Sequence, residues 1–316
     1  MIVRYCGHGE LGGNLTRLTS ISRRSFLAVL SGLALGRKQN ACAAEPGTPF
    51  LVVGDWGTGS AAQKRVAIEM GKIAESIGVR FVISTGDNFY SAGVKGIDDA
   101  QWKTSYEDIY DAPSLMVPWY AVLGNHDHKG NVAAQVEYTK QSSRWRMFST
   151  YYRHTEVLRD GTSADFFFID TEPIRKQYQD WVNLSRWNDQ IAWLDRELAN
   201  TTARWKIVVG HHPIFSGESR RGGTPALINW LRPLLDKHRV QVYLNGHSHG
   251  LEHIVVGQVH YLTSGAGASP RPSGTLPTTR FAMGNRLGYL VARLSPEFMD
   301  IEFRDEVGNS VYRARI

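Results

Sequence analysis

Side chains able to hold metal ions recur in order behind short β-rich runs: Asp55 in GDWG, Asp87 and Tyr90 in GDNFY, Asn125 in GNHD, His211 in VVGHHP, and His247 and His249 in GHSH. Carboxylates, an amide oxygen, a phenol and imidazoles together suit a pair of borderline-hard ions, and two such ions side by side serve hydrolytic phosphoryl chemistry. One Gly-Asp behind a strand is ordinarily a turn or a helix cap. Five such motifs in series, all in the same kind of place, argue for one shared site.

The runs that must position them are Phe50 to Val53, Phe81 to Ser84, Trp119 to Leu123, Lys206 to Val209 and Val240 to Leu244, and each ends just before a motif. Helical periodicity falls between them and around a further run, Phe166 to Ile169: Ala61 to Ile77, Ala100 to Tyr110, Ala133 to Lys140, Asn188 to Leu198 and Pro225 to Lys237. Such alternation predicts α/β layering, with the ligands gathered at the carboxyl ends of strands. After His253 the runs Ile254 to Val256, Val259 to Thr263, Tyr289 to Leu294, Phe298 to Phe303 and Ser310 to Arg315 are separated by turn signals and predict antiparallel strands of a second sheet. Residues 173–185, 216–224 and 268–279 are the longest irregular stretches expected. Trp102, Trp119, Trp187, Trp193, Trp205 and Trp230 are expected in the core.

With these motifs and their surroundings, VGDWG, GDNFYSAGV, VPWYAVLGNHDHKGNVAAQ, LNGHSH and TSGAG, the chain resembles a purple acid phosphatase of the calcineurin-like metallophosphoesterase superfamily, in the small, mammalian-type tartrate-resistant class. The resemblance runs from about Thr48 to Arg315. It implies a four-layer α/β/β/α sandwich of two mixed β-sheets, and hydrolysis of phosphate monoesters at acidic to neutral pH by metal-bound hydroxide. It further implies a ferric ion on Asp55, Asp87, Tyr90 and His249. A divalent ion (Fe, Zn or Mn) would sit on Asp87, Asn125, His211 and His247, with Asp87 bridging. Phenolate is a hard anionic donor that favours a trivalent ion, whereas Asn125 gives a neutral carbonyl oxygen, which agrees with that partition.

By the same resemblance His126 contacts the phosphate and assists the leaving alcohol, with Asp127 and His128 as candidates to orient it. Two departures stand out. His212 occupies a place usually held by tyrosine, where it is either a supporting imidazole or a substrate-contacting acid. The acid histidine expected beyond VVGHHP is absent, and Ser216 to Arg221 stand there, with Arg220 or Arg221 open to a phosphate contact. Residues 173–185, with Arg175, Lys176, Tyr178 and Trp181, lie where relatives carry a loop that dampens activity.

The 316 residues, 42% of them apolar, are enough for a substantial core. Residues 1–43 predict a cleavable twin-arginine export signal: Ser22-Arg23-Arg24-Ser25-Phe26-Leu27, an apolar stretch to Gly36, then Arg37 to Asn40 and the small-residue run Ala41 to Ala44. Residues 44–316 are expected to form a single catalytic domain, located in the periplasm or secreted. The apolar stretch falls well short of the roughly 20 residues that span a bilayer, so no stable membrane insertion is expected after processing. Arg4, Arg17, Arg23, Arg24, Arg37 and Lys38 against Glu10 place five of the six net positive charges in the leader. The remainder is nearly neutral, which gives no general attraction to nucleic acid. Cys6 and Cys42 also precede the expected mature start, so the folded part is predicted to be free of disulfides and monomeric, with a small phosphate ester as its partner.

Two other readings stay open. A diesterase or nucleotide hydrolase with manganese or zinc ordinarily carries a histidine two residues after the first aspartate, where this chain has Gly57. A non-hydrolytic iron protein would show colour without turnover.

Overall fold

The chain is described by a computed structural model over residues 47–175, 181–218 and 223–316. The twin-arginine segment, both cysteines, Lys176, Tyr178, Arg220 and Arg221 lie outside the described residues. In order along the chain come β1 (Thr48–Val53), α1 (Ala61–Ile77), β2 (Phe81–Ser84), β3 (Trp119–Ala121), α2 (Val132–Tyr138), β4 (Trp145–Arg146), β5 (Tyr152–Val157) and β6 (Ser163–Phe168). There follow α3 (Glu172–Arg175), α4 (Trp181–Asn200), β7 (Trp205–Val209), α5 (Pro225–Trp230), α6 (Arg232–Lys237) and β8 (Val242–Asn245). The last strands are β9 (Leu251–Val256), β10 (Val259–Ser264), β11 (Thr279–Met283), β12 (Gly288–Leu294), β13 (Met299–Asp305) and β14 (Ser310–Arg315).

The strands make two seven-stranded sheets, ordered β14-β13-β12-β1-β2-β3-β4 and β11-β9-β10-β8-β7-β6-β5. Both are mixed. β1, β2 and β3 run parallel to one another, as do β6, β7 and β8, while β12 to β14 and β9 with β10 and β11 pair antiparallel. The motif-bearing strands are therefore the parallel ones, whose carboxyl ends share an edge.

Alternation along β6 shows how the layers stack. Phe166 and Phe168 join the cluster that contains Phe50 and Phe81 of the other sheet, and the rings of Phe50 and Phe166 meet edge to face at 5.7 Å. Phe167, between them, points the other way into a second cluster with Trp187, Leu194, Leu227 and Leu235 of the helices. A strand buried on both faces has to be apolar at every position, which is why the phenylalanine run replaces an alternating pattern. On the far side α1 lays Val66, Ala67, Met70 and Ala74 against the first sheet, between an N-cap at Ser60 and a left-handed C-cap at Gly78. These layers form the expected α/β/β/α sandwich.

Several expected elements differ. The helix expected over 100–110 is a π-helical turn, Trp102–Glu107. Its wide turn carries Trp102 and Tyr106 into an aromatic cluster with Trp56, Phe89 and Trp145. The helix over 225–237 is two, because Pro233 cannot continue the hydrogen bonding of α5. Strands β4, β5 and β11 were not expected, and residues 181–185 belong to α4 rather than to a loop. Trp230 is 51% exposed, not core. Among the described residues no helix is long and apolar enough to cross a membrane.

Candidate metal centre

Asp55, Asp87 and His247 each follow a glycine and each has a left-handed backbone, at φ 57°, 51° and 66°. Residues with a Cβ avoid this region at a cost of about 1–2 kcal/mol, so three such positions at one strand edge mark a place where geometry is imposed for function. The glycines allow the close approach. A Cβ at Gly86 (φ 90°) would lie 2.8 Å from His211 Nδ1, and one at Gly124 would lie 2.2 Å from Asp87 Oδ1.

The side chains converge in two groups. Tyr90 Oη lies 3.1 Å from Asp55 Oδ1, 2.9 Å from Asp87 Oδ2 and 3.5 Å from His249 Nε2, and His249 Nε2 lies 3.3 Å from Asp55 Oδ1. In the second group, His211 Nε2 lies 3.3 Å from Asn125 Oδ1, 3.1 Å from His247 Nδ1 and 3.5 Å from Asp87 Oδ1. Asp87 thus gives one oxygen to each group. The seven side chains read from the sequence are brought together at one place, and Asp55, Asp87 and His211 also lie close enough to share an ion.

The imidazoles are set as ligands. His211 Nδ1–H donates to the Thr85 carbonyl at 2.9 Å and His249 Nδ1–H to the Ser269 carbonyl at 2.5 Å, which leaves each Nε2 lone pair facing inward. Asp55 and Asp87 are 0% and 2% exposed, and among the described residues no lysine or arginine pairs with either. Two buried carboxylates with no fixed cation, ringed by inward lone pairs, fit metal ions. Burial alone would push Asp55 up, but its contacts with His249, reinforced by His211, hold it below the usual carboxylate range. Burial, and then the charges of Asp55 and Asp87, hold the Tyr90 hydroxyl well above the usual phenol range. Only a cation can offset those two charges and release a phenolate.

His126 sits on the rim. Its backbone N–H donates to Asp87 Oδ1 at 2.7 Å, its ring lies 4.5 Å from that of Tyr90, and its Nδ1 lies 2.6 Å from the Ser91 carbonyl, with Lys129 Nζ 3.2 Å from the same nitrogen. The Ser91 carbonyl can only accept and the Lys129 ammonium can only donate, so both cannot bond Nδ1 at once; the shorter contact, with Ser91, places the proton on Nδ1 and leaves Nε2 for a substrate. Asp127 and His128 do not bond this ring. The Asp127 carboxylate accepts from the backbone N–H groups of Asn88 and Gly124 and from Gln135 Nε2, fastening the loop after β2 to the loop after β3. Burial and the neighbouring Asp87 push it up to about 7. His128 Nε2 instead meets Asp170 Oδ2 at 2.8 Å.

His212 is 1% exposed, lies 4.4 Å from the His247 ring and is held through Nδ1 by the Thr171 hydroxyl at 2.8 Å. That burial fits a supporting imidazole better than a substrate-contacting acid. Its position is also close enough for a ligand role that the sequence did not suggest, since ring nitrogens of His211, His212 and His247 lie within 4.8 Å of one another. Sequence reasoning missed Ser91, Ser269, Asp170 and Thr171. A signal existed for Asp170, because FFFID repeats the strand-then-aspartate pattern of the ligand motifs.

Residues 48–251 match the family model described as calcineurin-like phosphoesterase. The chain is similar to purple acid phosphatase 4 of Arabidopsis thaliana, at 37% identity over 284 residues, covering 84% of this chain and 82% of that protein. It is also similar to tartrate-resistant acid phosphatase type 5 of Oryctolagus cuniculus, at 35% identity over 302 residues, covering 86% and 93% respectively. Among solved structures it resembles GAP50, described as the anchor in the inner membrane complex of Plasmodium, with a TM-score of 0.77 and 27% identity, over 86% of this chain and 89% of that one.

Proposed function

We infer that this chain, which belongs to the calcineurin-like phosphoesterase family and within it to the purple acid phosphatases, hydrolyses phosphate monoesters at a dinuclear centre of a ferric and a divalent ion. The observation that carries this reading is the single carboxylate of Asp87 standing between two donor groups, only one of which contains a phenol. The ferric ion belongs with Asp55, Asp87, Tyr90 and His249, and the divalent ion (Fe, Zn or Mn) with Asp87, Asn125, His211 and His247. When bound, the two ions supply the Lewis acidity that polarises a phosphoryl oxygen and lowers the pKa of water.

The residues do the rest. The inward Nε2 atoms of His211 and His249 are fixed by backbone carbonyls, so the donor sets are organised before a substrate arrives. His126 holds its Nδ1 proton against Ser91 and turns Nε2 toward the substrate; in the doubly protonated form its Nε2–H contacts the phosphate and passes that proton to the departing alcohol, leaving the neutral imidazole with its proton on Nδ1. His212, bonded to Thr171 and packed on His247, keeps that ligand in place.

The same proposal locates the enzyme outside the cytoplasm, on the strength of the Arg23-Arg24 segment and the apolar stretch behind it. Blocking twin-arginine export with the general secretory route intact tests the export route, and continued active enzyme outside the cytoplasm would sink that route; the location itself would be sunk by finding the enzyme only in the cytoplasm of unblocked cells. The central reading is tested by a visible absorption spectrum of purified protein, with metal content and p-nitrophenyl phosphate turnover at acidic pH taken on the same sample. A visible band with iron and turnover is expected. A colourless, active zinc or manganese enzyme would overturn the ferric assignment, and a protein with neither metal nor activity would overturn the whole reading.

A further inference from the structure

Ser269, Arg271 and Ser273 lie on one irregular segment between β10 and β11, and this segment wraps His249. The Ser269 carbonyl takes the His249 Nδ1 proton at 2.5 Å, and the Arg271 N–H donates to the His249 carbonyl at 2.8 Å. Its far side is held as well. Asn285 N–H donates to the Arg271 carbonyl at 2.8 Å, and the Ser273 hydroxyl donates to Glu252 Oε1 at 2.7 Å. Glu252 is 1% exposed and accepts from Gly217 N–H at 3.1 Å with the same oxygen, while Gly274 N–H donates to the Gly217 carbonyl at 2.8 Å. The segment is thus stitched to Gly217, in the stretch from Ser216 to Arg221 where the expected acid histidine is absent.

The backbone of Arg271 is therefore fixed, but its side chain is not used up. Arg271 is half-buried, and among the described residues no carboxylate, carbonyl or aromatic ring engages its guanidinium. Its positive charge is felt at the His249 imidazole, where it opposes protonation. A half-buried guanidinium without an anion is short of acceptors for its five N–H groups. Its surroundings indicate which anion supplies them. The Tyr90 ring has the His126 ring at 4.5 Å and the His249 ring at 6.3 Å, so the rim at His126 and the segment carrying Arg271 meet at the same phenol.

Resting on the phosphatase reading above, we propose that Arg271 is a further catalytic residue, which binds the phosphoryl group of the substrate from the His249 side and supplies the positive charge that the missing histidine does not. A planar guanidinium offers parallel N–H donors to two phosphoryl oxygens, a match that a point charge lacks. Donors already aimed at those oxygens stabilise the charge that builds there during transfer. Arginine keeps its proton throughout, so it binds and orients the group while protonation of the departing alcohol stays with His126.

The test titrates inorganic phosphate by calorimetry into metal-loaded wild type and Arg271→Met, with kcat/KM for p-nitrophenyl phosphate, iron content and the visible band taken on the same samples. Arg271→Met should bind phosphate at least about tenfold more weakly and lose about 10–100-fold in kcat/KM, with metals and band retained. Unchanged phosphate affinity would overturn the proposal by removing the contact. Loss of the metals or the band would overturn it differently, by making Arg271 a support for His249 rather than a partner of the substrate. Should Arg271→Met fail to fold, Arg271→Gln carries the same expectation and the same disproof. A wild type without turnover would instead sink the phosphatase reading, so the two failures are distinguishable.

Discussion

Asp87 is the residue on which both donor groups depend. Its Oδ2 meets Tyr90 and its Oδ1 faces His211 while accepting the His126 N–H, so truncation to alanine removes a ligand from each group and loosens His126 as well. Asp87→Ala is expected to lose both ions and, with them, on the order of 10³-fold or more in turnover. Metal analysis of the purified variant checks this, and two metals still bound per chain would show that Asp87 does not bridge. Tyr90 makes a different kind of contribution. Tyr90→Phe keeps a ring to pack on His126 but removes the oxygen beside Asp55 and Asp87. The visible band should disappear while turnover falls by only about 10–100-fold, the scale of groups that tune a metal rather than attack the substrate. A full-strength band in that variant would remove the phenolate from the centre.

The elements matter through how closely their ends can meet. At the exit of β3, a Cβ on Gly124 would meet Asp87 Oδ1 at 2.2 Å and its backbone nitrogen at 2.3 Å, and Gly124 N–H itself donates to Asp127. Gly124→Ala should therefore fold yet displace the bridging carboxylate, weakening metal retention by at least about tenfold in a chelator titration with the thermal midpoint of the metal-free protein lowered by a few degrees. Unchanged metal retention would mean that the loop after β2 yields without carrying Asp87 along. This crowding also explains what could be read in advance. Asp55, Asp87, Asn125, His211 and His247 were legible because each needs a glycine before it and a β run before that, which are local signals in the sequence. Ser91, Ser269 and Thr171 were not, because their partners come from far along the chain, and Asp170 showed only the strand-then-aspartate pattern of FFFID, with nothing to point to His128. Likewise β11 and the short β4 are edge strands or next to nothing but one partner, with no alternation to announce them. The π-helical turn at Trp102–Glu107 has apolar spacing that an α-helix would share.

At the scale of the whole molecule, a second histidine cluster ties the two sheets together away from the ligands. His253 of β9 is 2% exposed, with Nε2 2.9 Å from His260 Nδ1 of β10 and Nδ1 3.0 Å from Tyr312 Oη of β14, which belongs to the other sheet. Burial, aided by the charges of His260 and Arg280, pulls His253 down to about 4, and burial with Arg280 lowers His260 as well. An unfolded histidine titrates near 6.5, so the unfolded chain binds more protons than the folded one between about pH 6.5 and 4. Stability from the neutral cluster is therefore complete above about pH 6.5 and is lost as pH falls toward 4, by on the order of 1–3 kcal/mol. An enzyme acting at acidic pH would work inside that window. His253→Gln replaces the imidazole with an amide that can still bond Tyr312 and His260 but does not titrate. Denaturant midpoints at pH 7 and pH 4.5 should converge in this variant by that amount relative to wild type, even if its stability at pH 7 is lower. If both proteins lose the same stability on acidification, the seam between the sheets is not what acid weakens, and the carboxylates elsewhere in the fold carry the pH dependence instead.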